Sequence, residues 1–116
     1  METEKKDVEI VPETKSSTVV KFSRSYTYGG KTYEEVNLTA LETLTANDMI
    51  EAEKHLSKIG IFSPTPELTL EYVFYIASKA AQMPIDFFRK LLPGDAIRLK
   101  NIVTAHFYGE IAGQIK

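Results

Sequence analysis

The chain has 116 residues, 43% of them hydrophobic and 26% charged, with a formal net charge of −2. That is the size of one domain, able to remove roughly two thirds of its unfolded surface from water, and its charge favours neither nucleic acid nor an anionic membrane. Cysteine is absent, which excludes disulfides, thiolate nucleophiles and thiolate metal sites, and is compatible with a reducing cytoplasm.

The first segment, "METEKKDVEIVPETKSST", mixes charged and hydroxyl residues around only Val8, Ile10 and Val11, too little apolar surface to offset the cost of ordering it. No apolar run of signal-peptide length occurs in it. The longest apolar stretch elsewhere, Tyr72 to Ala77, is far too short to cross a bilayer. Residues 1–18 are expected to be a flexible tail, 19–109 one domain, and 110–116 a frayed end.

Residues 26–35, "YTYGGKTYEE", join two aromatic runs through a glycine pair, the pattern of a tight β-hairpin. A two-residue turn at Gly29-Gly30 places Tyr28 opposite Lys31, Tyr26 opposite Tyr33 and Arg24 opposite Glu35, since antiparallel partners keep a constant sum. Phe22, Tyr26, Tyr28 and Tyr33 then share one face, with Lys21, Ser23, Ser25, Thr27, Thr32 and Glu34 mostly on the other. A lone ribbon is marginal in water, so its aromatic face needs cover from the chain's own helices or from a second subunit.

"TANDMIEAEKHLSKIG" begins with Thr45 as a cap and puts Met49, Ala52, Leu56 and Ile59 on one face of a helix that Gly60 ends. Glu51, Lys54, His55 and Lys58 form its solvated side. Next, Thr65 is placed to cap and Pro66 to open a helix whose residues from Leu68 to Ala81 are apolar on nearly all sides, the centre of the core. Met83 and Pro84 break it, a shorter helix runs through "IDFFRKLL", and Pro93-Gly94 turns the chain into a last helix expected to stop at Gly109. The predicted fold is α+β and mostly helical: one N-terminal hairpin on a bundle of about four helices.

His55 and His106 lie on different predicted helices without a partner at ligand spacing, so neither a metal nor a catalytic histidine is indicated. His106 fits a role near a helix C-terminus, where donors and cations are favoured. No serine sits in a nucleophile setting, and "YGGK" joins strands without opening a helix, unlike a phosphate loop. The expected protein is not an enzyme and uses no cofactor. Phe87, Phe88, Leu91 and Leu92 offer more apolar surface than a two-turn helix buries on one side. Together with Tyr26, Tyr28 and Tyr33, the residues Phe87, Phe88 and Leu91 are the candidate partner or subunit contacts.

In their order, "YTYGGKTYEEVNLTALETLTANDMIEAE" and "TLEYVFYIASKAAQMPIDFFRKLLPGDAIRLKNIVTAHFYG" resemble the small tail assembly chaperones of tailed bacteriophages and prophages. The shared features are a hairpin, an L-x-x-L-T lead-in to a helix, an apolar helix, P-x-x-F, "LPGDA" and a final helix ending in Phe and Gly. They span residues 22–109. The resemblance implies a non-catalytic protein of the host bacterial cytoplasm that binds tape measure protein and keeps it soluble before tail tube polymerisation. Self-association is expected, the tail tube protein is a second candidate partner, and neither nucleic acid nor membrane is. The alternative is a phage-borne DNA-binding regulator using the helices around Pro93, which would need Arg89, Lys90, Arg98 and Lys100 on one exposed face.

Overall fold

Strands β1 (Val19–Tyr28) and β2 (Lys31–Asn37) form a two-stranded antiparallel hairpin in a computed structural model that describes residues 18–115, with side chains through Gly109. The expectation of a flexible tail falls, apart from Thr18, outside the described residues. Gly29 and Gly30 have φ of 60° and 82°, the left-handed pair that a tight turn matching strand twist requires. Tyr28 faces Lys31 and Tyr26 faces Tyr33 as expected, but the constant sum then fails: Glu35 faces Lys21 instead of Arg24, and a bulge lies between Lys21 and Tyr26. Its cause is tertiary, because the Ser23 N–H donates to the Asp95 carboxylate at 3.0 Å. Through the bulge Val36 joins Val20 and Phe22 in the core, although it lies three residues from the inward Tyr33.

Thr18 belongs to the domain. It is 5% exposed, its carbonyl accepts from Leu38 N–H at 2.8 Å, and its hydroxyl meets that of Thr39 at 3.1 Å. A 3-10 turn, Thr39–Thr43, then buries Leu41. Helix α1 (Ala46–Lys58) starts where the Asp48 carboxylate accepts from the Thr45 backbone N–H at 2.9 Å; that bond is the main cause holding the Asp48 carboxyl below its usual range, helped by Lys79. Ala52 and Leu56 are buried and Met49 packs on the core, but Ile59 is 46% exposed. It lies just past the last helical residue, where Gly60 turns the chain at φ 81°.

Pro66–Leu68 is a separate 3-10 turn, and helix α2 (Leu70–Ala81) has its cap at Thr69 and not at Thr65. Thr69 is extended, with ψ 149°, and its hydroxyl accepts from the Tyr72 N–H at 3.3 Å, so it interrupts the run that Pro66 opens. Tyr72, Val73, Ile76 and Ala77 have no exposed surface, and α2 touches α1, both 3-10 turns and the two helices that follow. It is the central helix.

Gln82, with φ 57°, and Pro84 lead into the short helix α3 (Ile85–Arg89). Helix α4 (Pro93–Ile115) includes Pro93 and Gly94 in its first turn, so the chain reverses before them. It also continues past Gly109, where a stop was expected. Helical glycine costs only about 1 kcal/mol, which the continuing run of backbone bonds outweighs. His106 is therefore mid-helix, and the role expected of it at a C-terminus is lost. No described helix is long and apolar enough to cross a membrane.

Candidate functional site

Alternation along β1 and β2 sends three tyrosines toward the helices, and Pro84 starts α3 so that Phe87 arrives beneath them. The rings of Tyr26, Tyr28 and Tyr33 lie 5.0, 5.3 and 5.0 Å from the ring of Phe87, each edge-on. Phe22 stands 6.2 Å away and Phe88 5.0 Å away. Such pairs are worth about 0.5–1.5 kcal/mol beyond their buried area. Phe87 and Phe88 have no exposed surface and Leu91 has 8%, while the three tyrosines are half-buried against this cluster. The Tyr26 hydroxyl donates to the Phe87 carbonyl at 2.6 Å. Burial, with Tyr28 and Asp86 nearby, pushes that phenol above its ordinary range.

Five of the six candidate contact residues thus meet around Phe87, and the sixth, Leu91, is buried in the same core. In this conformation they cover one another, and the ribbon's aromatic face is covered by the chain's own helix α3.

The base of the hairpin is fastened separately. Asp95, 3% exposed in the first turn of α4, accepts from the Ser23 N–H, from the Ser23 hydroxyl at 3.3 Å, and from Arg98 at 2.7 Å. Arg98 also donates to the Lys21 carbonyl at 3.0 Å. One carboxylate and one guanidinium therefore tie the Ser23 N–H and the Lys21 carbonyl, at the edge of the bulge, to α4.

A second polar group was not foreseen. Glu71 on α2 accepts from Arg89 on α3, and its carboxylate meets His55 Nε2 on α1 at 2.8 Å. His55 stacks on Tyr75 at 5.0 Å, and Lys79 approaches that ring from 5.6 Å while pairing with Asp48 at 3.4 Å. Burial alone would raise the Glu71 carboxyl, but hydrogen bonds and charge from Arg89 and His55 outweigh it and hold the group below its usual range. The solvated side read for α1 is therefore docked at His55. No sequence spacing signals this contact, since its members come from three helices. Chemically it is a staple joining three helices, and no described group of three or more His, Cys, Asp or Glu residues is placed to hold a metal ion.

The cations required by a DNA-binding surface are largely engaged. Arg89 pairs with Glu71, Arg98 with Asp95, and Lys90 with Asp86 at 3.4 Å. Large apolar side chains are instead exposed on several elements, with Phe62 the most open at 79%, and with Ile50, Ile97 and Leu92 also at the surface. One shallow cleft runs along the outer side of α1 between Ile50, Glu53, Lys54 and Ser57. Another lies beside the bulge of β1, with Arg24, Tyr26, Lys90 and Leu92 among its walls.

No family model, curated protein or solved structure matches this chain.

Proposed function

We propose that this protein is a phage tail assembly chaperone that binds tape measure protein and keeps it soluble in the host bacterial cytoplasm until tail tube subunits polymerise. The observation that carries the reading is that the resembling motifs are the residues that build the domain. Leu41 of L-x-x-L-T is buried and its Thr45 starts α1. P-x-x-F supplies Pro84, which opens α3, and Phe87, which the hairpin covers. "LPGDA" supplies Asp95, which fastens the bulge. Motifs unspecific one by one gain weight when each performs a structural task in a single domain.

The surface suits the task. A tape measure is a long helical chain whose apolar stripes aggregate if bare, and masking it calls for many copies of a small protein with apolar or exchangeable surface. Exposed Phe62, Ile50 and Ile97 supply such surface. A DNA-binding regulator is disfavoured by the pairing of Arg89, Lys90 and Arg98 with carboxylates. Co-expression with tape measure fragments tests the proposal. The fragment should stay soluble and co-purify with several copies of this chain; an insoluble fragment with no co-purification would count directly against it.

A further inference from the structure

The hairpin is two ribbons in sequence and only one of them is built into the core. On the base side of the bulge, Val20 and Val36 face each other in the core, and the Asp95 and Arg98 bonds to Ser23 and Lys21 lock that half to α4. On the turn side, pairing consists of Tyr26–Tyr33, Thr27–Thr32 and Tyr28–Lys31. The described ring contacts of these tyrosines to the helices all go to one residue, Phe87, alongside one hydrogen bond to the carbonyl of the same residue.

We propose that the turn half of the hairpin is a lid, hinged at the bulge, that closes over Phe87 and opens without unfolding the helices. A ribbon of three pairs is marginal in water by itself, so its closure depends on the Phe87 contacts and on the edge-on contact of Tyr26 with Phe22 across the bulge at 5.6 Å. Elements held by few contacts open below the free energy of global unfolding. The bulge interrupts the ladder, and the Asp95 clamp keeps the base in place when the tip moves. Opening bares Phe87 together with the inner faces of Tyr26, Tyr28 and Tyr33, an aromatic surface that is buried when nothing else covers it. Its link to a client rests on the chaperone reading above: an apolar stripe of the tape measure helix would replace the tyrosines on Phe87, and the lid would shut when no client is present.

Native-state hydrogen exchange on the free protein tests the lid alone. The ladder amides between Tyr26 and Tyr33 should exchange on the order of 100-fold faster than those of Val73 and Ile76, with weak dependence on denaturant. Equal protection and an equally steep denaturant dependence would overturn the lid, whatever the protein binds. Tyr26→Phe then tests the gating, because it keeps the ring and deletes the bond to the Phe87 carbonyl. The open fraction should rise about tenfold, and affinity for a helical tape measure fragment should rise with it, although the variant is less stable. Unchanged or weaker binding by a folded variant would overturn gating. A tip that opens in a protein to which no fragment binds, in either form, would leave the lid standing and reject the chaperone reading.

Discussion

The backbone N–H of Ser23 donates to the carboxylate of Asp95 at 3.0 Å, across 72 positions of sequence. That bond explains why β1 departs from regular pairing where it does. The ladder gives up Ser23, and a buried charge on α4 takes it, with Arg98 alongside to balance the carboxylate.

Asp95→Ala should therefore do more than trim a side chain. It removes the acceptor of three hydrogen bonds, one of them from a guanidinium, at a carboxylate that is itself buried. Bonds to charged groups contribute about 1.5–3 kcal/mol each without being additive, so the expected loss is roughly 2–4 kcal/mol. Ser23→Ala keeps the backbone bond and should cost below about 1 kcal/mol. Urea titration of the two variants checks the order; equal losses would mean that the backbone bond does not dominate.

A buried hydroxyl supplies a prediction of the opposite sign. Tyr72 has no exposed surface, and its hydroxyl is the one fully buried side-chain polar atom among the described residues without a hydrogen-bond partner. Tyr72→Phe deletes that group and keeps the ring, so at neutral pH it should be neutral or stabilising by up to about 1 kcal/mol. Burial pushes the phenol up to about 12, with Glu53, Glu67 and Tyr108 adding to the rise. From pH 10 to about 12 the unfolded chain gives up this proton while the folded protein retains it. Stability falls as pH rises through that window, and the variant should show a shallower alkaline loss in thermal melts.

The acid side belongs to Glu71. Its folded carboxyl lies below the usual range, so its contribution is present above the unfolded value and disappears as pH falls through the folded one. Glu71→Gln should cost about 1–3 kcal/mol at neutral pH, by weakening the bonds from Arg89 and His55. The gap between variant and wild type should close as the pH falls below the ordinary carboxylate range. Melts at neutral pH and below that range decide it: a constant gap would place the effect in packing, not in the charge.

What could be read from residues alone was local. Gly29-Gly30 and the tyrosine alternation specify a turn and a face within ten residues, and the hairpin on four helices follows from patterns of the same range. The misread details depend on distant partners or on close competition. The bulge is set by Asp95, the His55 contact by Glu71 and Arg89, and the cap of α2 is Thr69 in place of the expected Thr65 because Thr69 is extended and its hydroxyl accepts from the Tyr72 N–H. Gly109 showed the stop signal of a helix end, but glycine also sits within helices at modest cost. The six contact residues were visible as surplus aromatic and aliphatic surface. That Phe87 is where the three tyrosines converge was not, since convergence is a property of the packed chain.

The remaining prediction concerns those tyrosines. If Tyr26 and Tyr33 mattered only as a cross-strand pair, replacing both with Thr would cost below about 1 kcal/mol, the range for such pairs. In the structure both rings lie edge-on to Phe87, and Tyr26 also bonds its carbonyl. Two half-buried tyrosines remove enough area from water, at about 25 cal/mol per Å², to raise the expected loss to roughly 3–5 kcal/mol once ring contacts are added. Thr retains strand propensity, and α2 with its contacts to α1 does not depend on the hairpin tip, so helical content should persist. Thermal melts followed by circular dichroism measure the loss, and sedimentation at matched concentration separates it from any change in assembly. A double variant that melts and sediments like the wild type would mean that the aromatic cover of Phe87 contributes nothing.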